Sequence, residues 1–209
     1  MTEPAVRRTQ EERRTEAERR LLGAAAELVG EIGPTRVTLA NVGERAGYSR
    51  GLATHHFGCK AALMQRLVDT VTAQFRDAFL EQTRSDSPLE ELRILIGIYL
   101  DVVSDMAPVN RARLVLWADA VATPSADARP AMVSADREFR EEIEKRLQRA
   151  VTAGHVAPSV NPHGLATVII AMLRGVALQC LLDDEVDLDA ARTEIEQLLN
   201  TRLKEEGTK

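Results

Sequence analysis

The chain has 209 residues, enough for one substantial core or for a small domain joined to a larger one. Hydrophobic residues make up 44% and aromatic residues only 3%, and the abundance of Ala, Leu, Val, Arg and Glu favours helix over sheet. No apolar run approaches the roughly 20 residues needed to cross a bilayer, and the charged N-terminus lacks the apolar stretch of a signal peptide. Two cysteines, Cys59 and Cys180, are too few for a disulfide framework, so we expect a cytoplasmic protein without a membrane partner.

The net charge of −5 is unevenly distributed along the chain. Residues 1–60 carry ten Lys or Arg and eight Asp or Glu, whereas the remainder carries a net charge of −7. A mildly basic first segment on an acidic body is typical of a protein that presents one end to DNA. The charge difference between the two segments is small, so it supports a DNA partner but does not establish one.

Apolar residues at spacings of three and four predict an all-α fold of about nine helices. Gly33-Pro34 ends the first helix, Thr38 and Ser49 are N-cap candidates for the next two, and proline stands first in several later helices. After a flexible arm at residues 1–10, the predicted helices span 15–32, 39–46, 50–56, 60–83, 88–105, 108–121, 129–153, 162–182 and 188–203.

Two short helices joined by a tight turn lie between Thr38 and Lys60. Gly47 lies in the turn, where glycine tolerates positive φ. Six residues are predicted to pack against the first helix: Leu39, Val42, Ala46, Tyr48, Ala53 and Phe57. The outward face then carries Arg50, Leu52, Thr54, His55 and His56. This is the arrangement that lets a recognition helix enter a major groove about 12 Å wide.

Specific sequence runs lie around this motif: Leu21-Leu22-Gly23-Ala24-Ala25-Ala26-Glu27-Leu28, Gly33, Thr38, Ala46-Gly47-Tyr48-Ser49-Arg50-Gly51, His56-Phe57, Lys60 and Leu63. In these residues the segment resembles the DNA-binding domain of the tetracycline-repressor (TetR) family. The resemblance implies base contacts from Arg50, Gly51, Leu52 and His55, with Ser49 beside them. It implies phosphate contacts from Thr38, Thr54, His56 and Lys60, and Lys60 also lies at a helix N-terminus that favours an anion.

Two positions depart from the usual family pattern. Ala53-Thr54 stands where the family usually has Leu-Tyr, which shortens the reach of a phosphate donor. Gly43 stands where alanine is usual, and we expect it to cost the second helix about 0.5–1 kcal/mol.

Beyond residue 88 the chain resembles the C-terminal domain of the betaine-regulator (BetI-like) branch, in Trp117-Ala-Asp-Ala and in the run from Arg174 to Asp184. The resemblance implies a DNA-binding domain at residues 1–62 and a helical ligand-binding and dimerisation domain at 63–209. Large apolar residues that could line a pocket, or be plain core, are Phe75, Tyr99, Trp117, Phe139 and Met172. Weaker polar candidates are Asp119, Arg174 and Gln179.

The expected function is a ligand-responsive regulator, most simply a homodimeric repressor of a palindromic operator, although an activator fits the same motif. The last two helices, Pro162–Leu182 and Leu188–Leu203, are the predicted dimer interface, because a palindrome calls for a two-fold symmetric reader. A small-molecule effector would enter the second domain and change the spacing between the two recognition helices.

Other interpretations have less support. An enzyme lacks a Ser/His/Asp arrangement, a phosphate-binding glycine loop and metal-ligand spacing, so we expect no catalytic residues and no cofactor. His55, His56 and Cys59 lack a second ligand pair for zinc, and nothing marks Cys59 as a redox switch. Arg7, Arg8, Arg13 and Arg14 could reach a DNA groove or form a solvated tail. A helical adaptor that binds protein is the remaining alternative.

Overall fold

The computed structural model describes residues 9–82, 85 and 87–203. Within these ranges the chain forms helices and no strand, in agreement with the predicted all-α fold. The helices are α1 (Gln10–Ile32), α2 (Leu39–Arg45), α3 (Arg50–Phe57), α4 (Lys60–Gln82), α5 (Pro88–Asp105), α6 (Pro108–Ala122), α7 (Arg129–Thr152), α8 (Pro162–Leu182) and α9 (Leu188–Leu203). A single 3₁₀ turn at Pro34–Arg36 was not predicted.

Helix α1 begins five residues earlier than the sequence indicated. Thr9 is the N-cap: its hydroxyl accepts a hydrogen bond from the Glu12 amide at 3.1 Å, while the Glu12 carboxylate accepts one from the Thr9 amide at 2.7 Å. Residues 10–16 include no apolar side chain and therefore show no apolar period. Arg13 and Arg14 consequently belong to α1 and not to an arm, whereas the rest of the predicted arm, with Arg7 and Arg8, lies outside the described residues.

The later helix boundaries follow the predicted capping signals. Pro88, Pro108 and Pro162 each open a helix, where a missing N–H costs nothing. The Asn161 side chain accepts a hydrogen bond from the Gly164 amide at 3.0 Å and so caps α8.

Two clusters of buried apolar side chains hold the helices together. The first joins α1, α2, α3 and the start of α4, and it continues into α6 and the start of α7. The second joins α5, α7, α8 and α9 around Tyr99, which is fully buried. Because α6 contributes to both clusters, the N-terminal helices pack directly on the C-terminal ones.

Helix α8 is long and apolar enough to cross a membrane by length and composition, with a mean hydropathy of 2.1 over its most apolar window. This corrects the expectation that no apolar run reaches that length. Only 28% of that window is buried within the chain, so much of an apolar helix remains uncovered inside one protomer.

Candidate DNA interface and effector cavity

The turn between α2 and α3 has the geometry of a helix-turn-helix. The Thr38 hydroxyl accepts from the Asn41 amide at 3.1 Å, and the Asn41 side-chain oxygen accepts from the Thr38 amide at 2.8 Å, so Thr38 caps α2 as predicted. Gly47 adopts a φ of +78°, the left-handed region that the sharp redirection requires.

Gly43 lies where the two short helices approach most closely. A Cβ at this position would lie 2.6 Å from the backbone carbonyl oxygen of Ser49. The expectation that Gly43 merely weakens α2 is therefore incomplete, because in this chain the glycine permits the close approach of α2 to the start of α3.

Helix α3 is positioned by its buried side. Ala53 has no exposed surface and lies in the first cluster. The predicted DNA-binding residues on the other side are exposed: Ser49, Arg50, Gly51, Thr54 and His55. Leu52 is half-buried and packs on the first cluster, and His56 is half-buried beside Phe57, so these two present only part of their surface.

Two of the predicted DNA-binding cations have partners within the protein. Arg50, whose side chain is 76% exposed, forms an ion pair with Glu44 of α2. The Lys60 ammonium donates to the carbonyl oxygen of Thr35 at 2.8 Å and so ties the start of α4 to the 3₁₀ turn. An ammonium has three donors, so this bond leaves Lys60 able to contact a phosphate.

Ion pairs fix α2 and α4 against α1. The Arg45 guanidinium binds Glu31 at 2.7 Å and Glu27 at 3.2 Å, and its hydrogen bond lowers the pKa of Glu31 below the ordinary carboxyl value. Arg66 binds Glu18 at 2.8 Å. These exposed pairs are worth little individually but orient the helices that carry α3.

A cavity of about 340 Å³ opens among α4, α5, α6, α7 and α8. Its apolar walls include Phe75, Leu95, Met132 and Phe139, and Arg113 and Arg174 add positive charge. Clefts that bind small molecules combine apolar walls with a few polar groups in this way. A larger and more open groove of about 550 Å³ runs between α4 and α7, but exposed polar side chains make up much of its lining.

Three aromatic rings form one group, in which Phe75 and Phe139 line the cavity and Tyr99 is fully buried. The Phe75 and Phe139 centroids are 5.4 Å apart edge to face, and Tyr99 lies 5.8 Å from Phe75 and 6.1 Å from Phe139. The sequence identified all three as pocket candidates, although they lie on three different helices. The guanidinium carbon of Arg113 lies 4.7 Å from the Phe75 centroid and 4.9 Å from the Tyr99 centroid.

The other candidates occupy different positions. Trp117 is half-buried, with the Arg174 guanidinium 4.7 Å from its ring centroid, and Met172 packs against the second cluster. Trp117 and Met172 do not line the cavity, and neither do Asp119 and Gln179. Arg174 does line it.

Arg113 is a lining residue that the sequence analysis missed. It lies four residues after Val109 and four before Trp117, on a face shared with apolar residues, and this position was the available signal. The structure also leaves His55, His56 and Cys59 without further ligands: no group of three His, Cys, Asp or Glu side chains in the described ranges is arranged to hold a metal ion.

Comparison with known proteins gives two family matches along the chain. Residues 21–67 match the profile of bacterial regulatory proteins of the tetR family, and residues 88–195 match a tetracyclin repressor-like C-terminal domain. Over 169 residues the chain is 28% identical to the HTH-type transcriptional regulator BetI of Escherichia coli, a match that covers 77% of this chain and 82% of BetI.

Solved structures share the fold. A transcriptional regulator from Saccharomonospora viridis in complex with choline matches with a TM-score of 0.76 at 19% identity, over 89% of this chain and 96% of its own. FadR from Bacillus subtilis in complex with stearoyl-CoA matches with a TM-score of 0.75 at 15% identity, over 87% of this chain and 96% of its own. Since the two profiles together span most of its length, the chain belongs to the TetR family of bacterial transcriptional regulators.

Proposed function

We propose that this regulator is a homodimeric repressor that binds a palindromic operator through α3 and is released when a small molecule enters the cavity. The observation that supports this proposal most strongly is that one helix, α4, runs from the end of the helix-turn-helix to the cavity. Lys60 opens this helix directly after α3, and Thr72, Phe75 and Arg76 of the same helix line the cavity.

Operator contacts are assigned to the exposed side of α3. Arg50, Gly51, Leu52 and His55 would approach base edges, and Arg50 can form a bidentate pair with guanine once it leaves Glu44. The N-cap Ser49 would lie beside them at the start of α3. Donors to phosphates would be Thr38, Thr54, His56 and Lys60. A regulator with these contacts acts in the cytoplasm, where bacterial DNA lies.

The apolar surface of α8 and α9 supports a dimer through these helices. Val168 and Leu182 of α8 are 51% and 89% exposed, and Leu198 of α9 is 57% exposed. Burying this surface against a second copy would give α8 the contacts that one protomer lacks. Two α3 helices must then lie about 34–36 Å apart to read successive major grooves.

An effector changes the distance between the two α3 helices of the dimer if its binding favours one position of α4. A molecule that fills the cavity pushes on Phe75, and α4 carries the displacement toward Lys60 and α3. Release requires that the effector bind the DNA-free form better than the DNA-bound form. The solved relatives contain choline in one case and stearoyl-CoA in another, so the fold is compatible with ligands of different chemistry.

The test is an electrophoretic mobility shift with DNA from upstream of the protein's own coding sequence. We expect a shift that survives competitor DNA and is weakened by His56→Ala and by Lys60→Ala. Arg137→Ala, which changes a residue of α7 far along the chain from the helix-turn-helix, is the control and should bind like the wild type. A wild-type shift that competitor DNA abolishes, or equal binding by all variants, would favour the adaptor interpretation.

A further inference from the structure

Arg113 is the most unusual residue of the cavity, because its positive charge is buried against two aromatic rings and has no ion-pair partner in the described residues. It is 8% exposed, and its Nε and Nη2 atoms have no hydrogen-bond partner in the described part of the chain. The buried Tyr99 hydroxyl beside it has no partner of standard hydrogen-bond geometry either, although its interaction with Arg113 favours the charged guanidinium. Leaving a charge and its donors unsatisfied in a protein interior is costly, so such an arrangement calls for an explanation.

Neighbouring charges do not neutralise Arg113. The second arginine of the cavity, Arg174, forms an ion pair with Asp136, and Asp136 also pairs with Arg140. Of the three carboxylates that line the cavity, Glu142 pairs with Arg146, Glu138 accepts a hydrogen bond from Ser134, and Glu141 is exposed. Within the described residues no ion pair reaches Arg113, so the cavity wall keeps a net positive group.

Burial accordingly lowers the pKa of Arg113 below its ordinary value, and the nearby charge of Arg174 acts in the same direction while Tyr99 opposes it. A guanidinium nevertheless keeps its proton in proteins. The cost of burial is therefore relieved by bringing an opposite charge to Arg113.

The rings of Phe75 and Tyr99 disfavour a cationic ligand beside them. Quaternary ammonium groups bind against ring faces, but the guanidinium of Arg113 already lies against Phe75 and Tyr99, at 4.7 and 4.9 Å from their centroids. A cation placed there would displace Arg113 or lie beside a like charge.

We propose that the effector of this regulator is an amphipathic anion, whose carboxylate or phosphate group pairs with Arg113. Its apolar body lies against Phe75, Leu95, Met132 and Phe139. A cavity of about 340 Å³ suits a small molecule of this type. The proposal rests on the proposed function, because it assigns this cavity to the effector.

The test uses four probes that share an eight-carbon chain and differ in headgroup: octanoate, octyl phosphate, 1-octanol and octyltrimethylammonium. Isothermal titration calorimetry measures each Kd on the full-length protein without DNA. We expect at least one anion to bind about tenfold or more tightly than both 1-octanol and octyltrimethylammonium. The tighter of the two anions identifies the headgroup.

Variants assign the effect to Arg113. Arg113→Met keeps much of the length of the side chain and should weaken binding of the preferred anion about tenfold or more. Its Tm should change little, because removal of a buried charge that has no ion pair offsets the loss of the contacts with Phe75 and Tyr99. Arg113→Lys keeps the charge and should still prefer the anion to 1-octanol. Arg137→Met removes an exposed arginine of α7 that does not line the cavity, and its Kd should match the wild type.

The proposal is overturned if octyltrimethylammonium binds most tightly, if no anion binds better than 1-octanol, or if Arg113→Met binds the preferred anion like the wild type. Failure of the proposed function is a separate result. If the protein binds the anion but binds no specific DNA site, the inference about the effector stands and the proposed repressor function is wrong. If 1-octanol or the ammonium probe releases the protein from DNA and neither anion does, the repressor function stands and the anionic effector is wrong.

Discussion

The guanidinium of Arg113 lies 4.7 Å from the centroid of the Phe75 ring, and this contact joins the buried charge of the cavity to helix α4. Lys60, at the start of the same helix, contacts the 3₁₀ turn that precedes the helix-turn-helix. At 1.5 Å per residue, Phe75 and Lys60 are about 22 Å apart along the helix. In the proposed function, a ligand that moves Arg113 would therefore act on the helix that begins at the proposed DNA interface.

Lys60 has two roles that can be separated by substitution. Lys60→Gln retains a donor for the Thr35 carbonyl but carries no charge, so stability should change little while DNA binding weakens. For each phosphate that the side chain no longer neutralises, the slope of log K against log salt should fall by about 0.9. Fluorescence anisotropy at several salt concentrations measures it. Lys145→Gln changes an exposed lysine of α7 and is the control. An unchanged slope for Lys60→Gln would show that Lys60 contacts no phosphate.

Glu44 competes with DNA for Arg50. Glu44→Gln breaks the ion pair and removes a negative charge from the DNA-facing side, so operator affinity should rise about two- to fivefold, as expected from an exposed pair worth up to about 1 kcal/mol. The measurement is the Kd for operator DNA at fixed salt. Glu27→Gln removes a carboxylate that pairs with Arg45 instead and should have a smaller effect. Weaker binding by Glu44→Gln would mean that Glu44 orients Arg50 for DNA.

Gly43 and Gly23 should respond to alanine in opposite directions. A Cβ on Gly43 meets the Ser49 carbonyl at 2.6 Å, whereas one on Gly23 meets nothing within 4 Å. Gly43→Ala should therefore lower the free energy of unfolding by about 1–3 kcal/mol. Gly23→Ala should raise it by up to about 1 kcal/mol, because alanine is the better helix former. Urea denaturation at one protein concentration compares them, and equal stabilities would contradict the close approach at Gly43.

The dimer proposal is tested by placing a charge on α8. Val168→Glu should convert the dimer to a monomer, because an unpaired carboxylate is costly in an apolar interface. Val121→Glu is the matched control: its side chain is 61% exposed, against 51% for Val168, but it lies on α6. Size-exclusion chromatography with light scattering measures the mass. If both variants remain dimers, the dimer interface does not include Val168.

Local signals in the sequence were sufficient to predict most helices. The bounds of α5, α8 and α9 agree with prediction, because an N-terminal proline or an amphipathic pattern is encoded within a few residues. The start of α1 was placed too late because its charged first turns carry no apolar period, although Thr9 and Glu12 form a capping box. Capping residues were the better signal there.

The candidate site could be predicted only in part. The exposed residues of α3 follow from helical spacing and from Ala53 facing the core. The pairing of Arg50 with Glu44 and the burial of Arg113 against Phe75 depend on which helices pack together, and spacing along one helix carries no such information. Trp117 illustrates the same limit, since a large aromatic residue on α6 packs under Arg174 and not in the cavity.

The coupling between cavity and DNA is tested most directly by titrating octanoate or octyl phosphate, whichever binds more tightly, into the complex of the protein with its operator, followed by fluorescence anisotropy. This anion should release the wild-type protein from DNA, and Arg113→Met should stay bound at the same concentrations. An operator complex that persists when calorimetry shows the wild-type cavity to be saturated with the anion would contradict the proposed coupling.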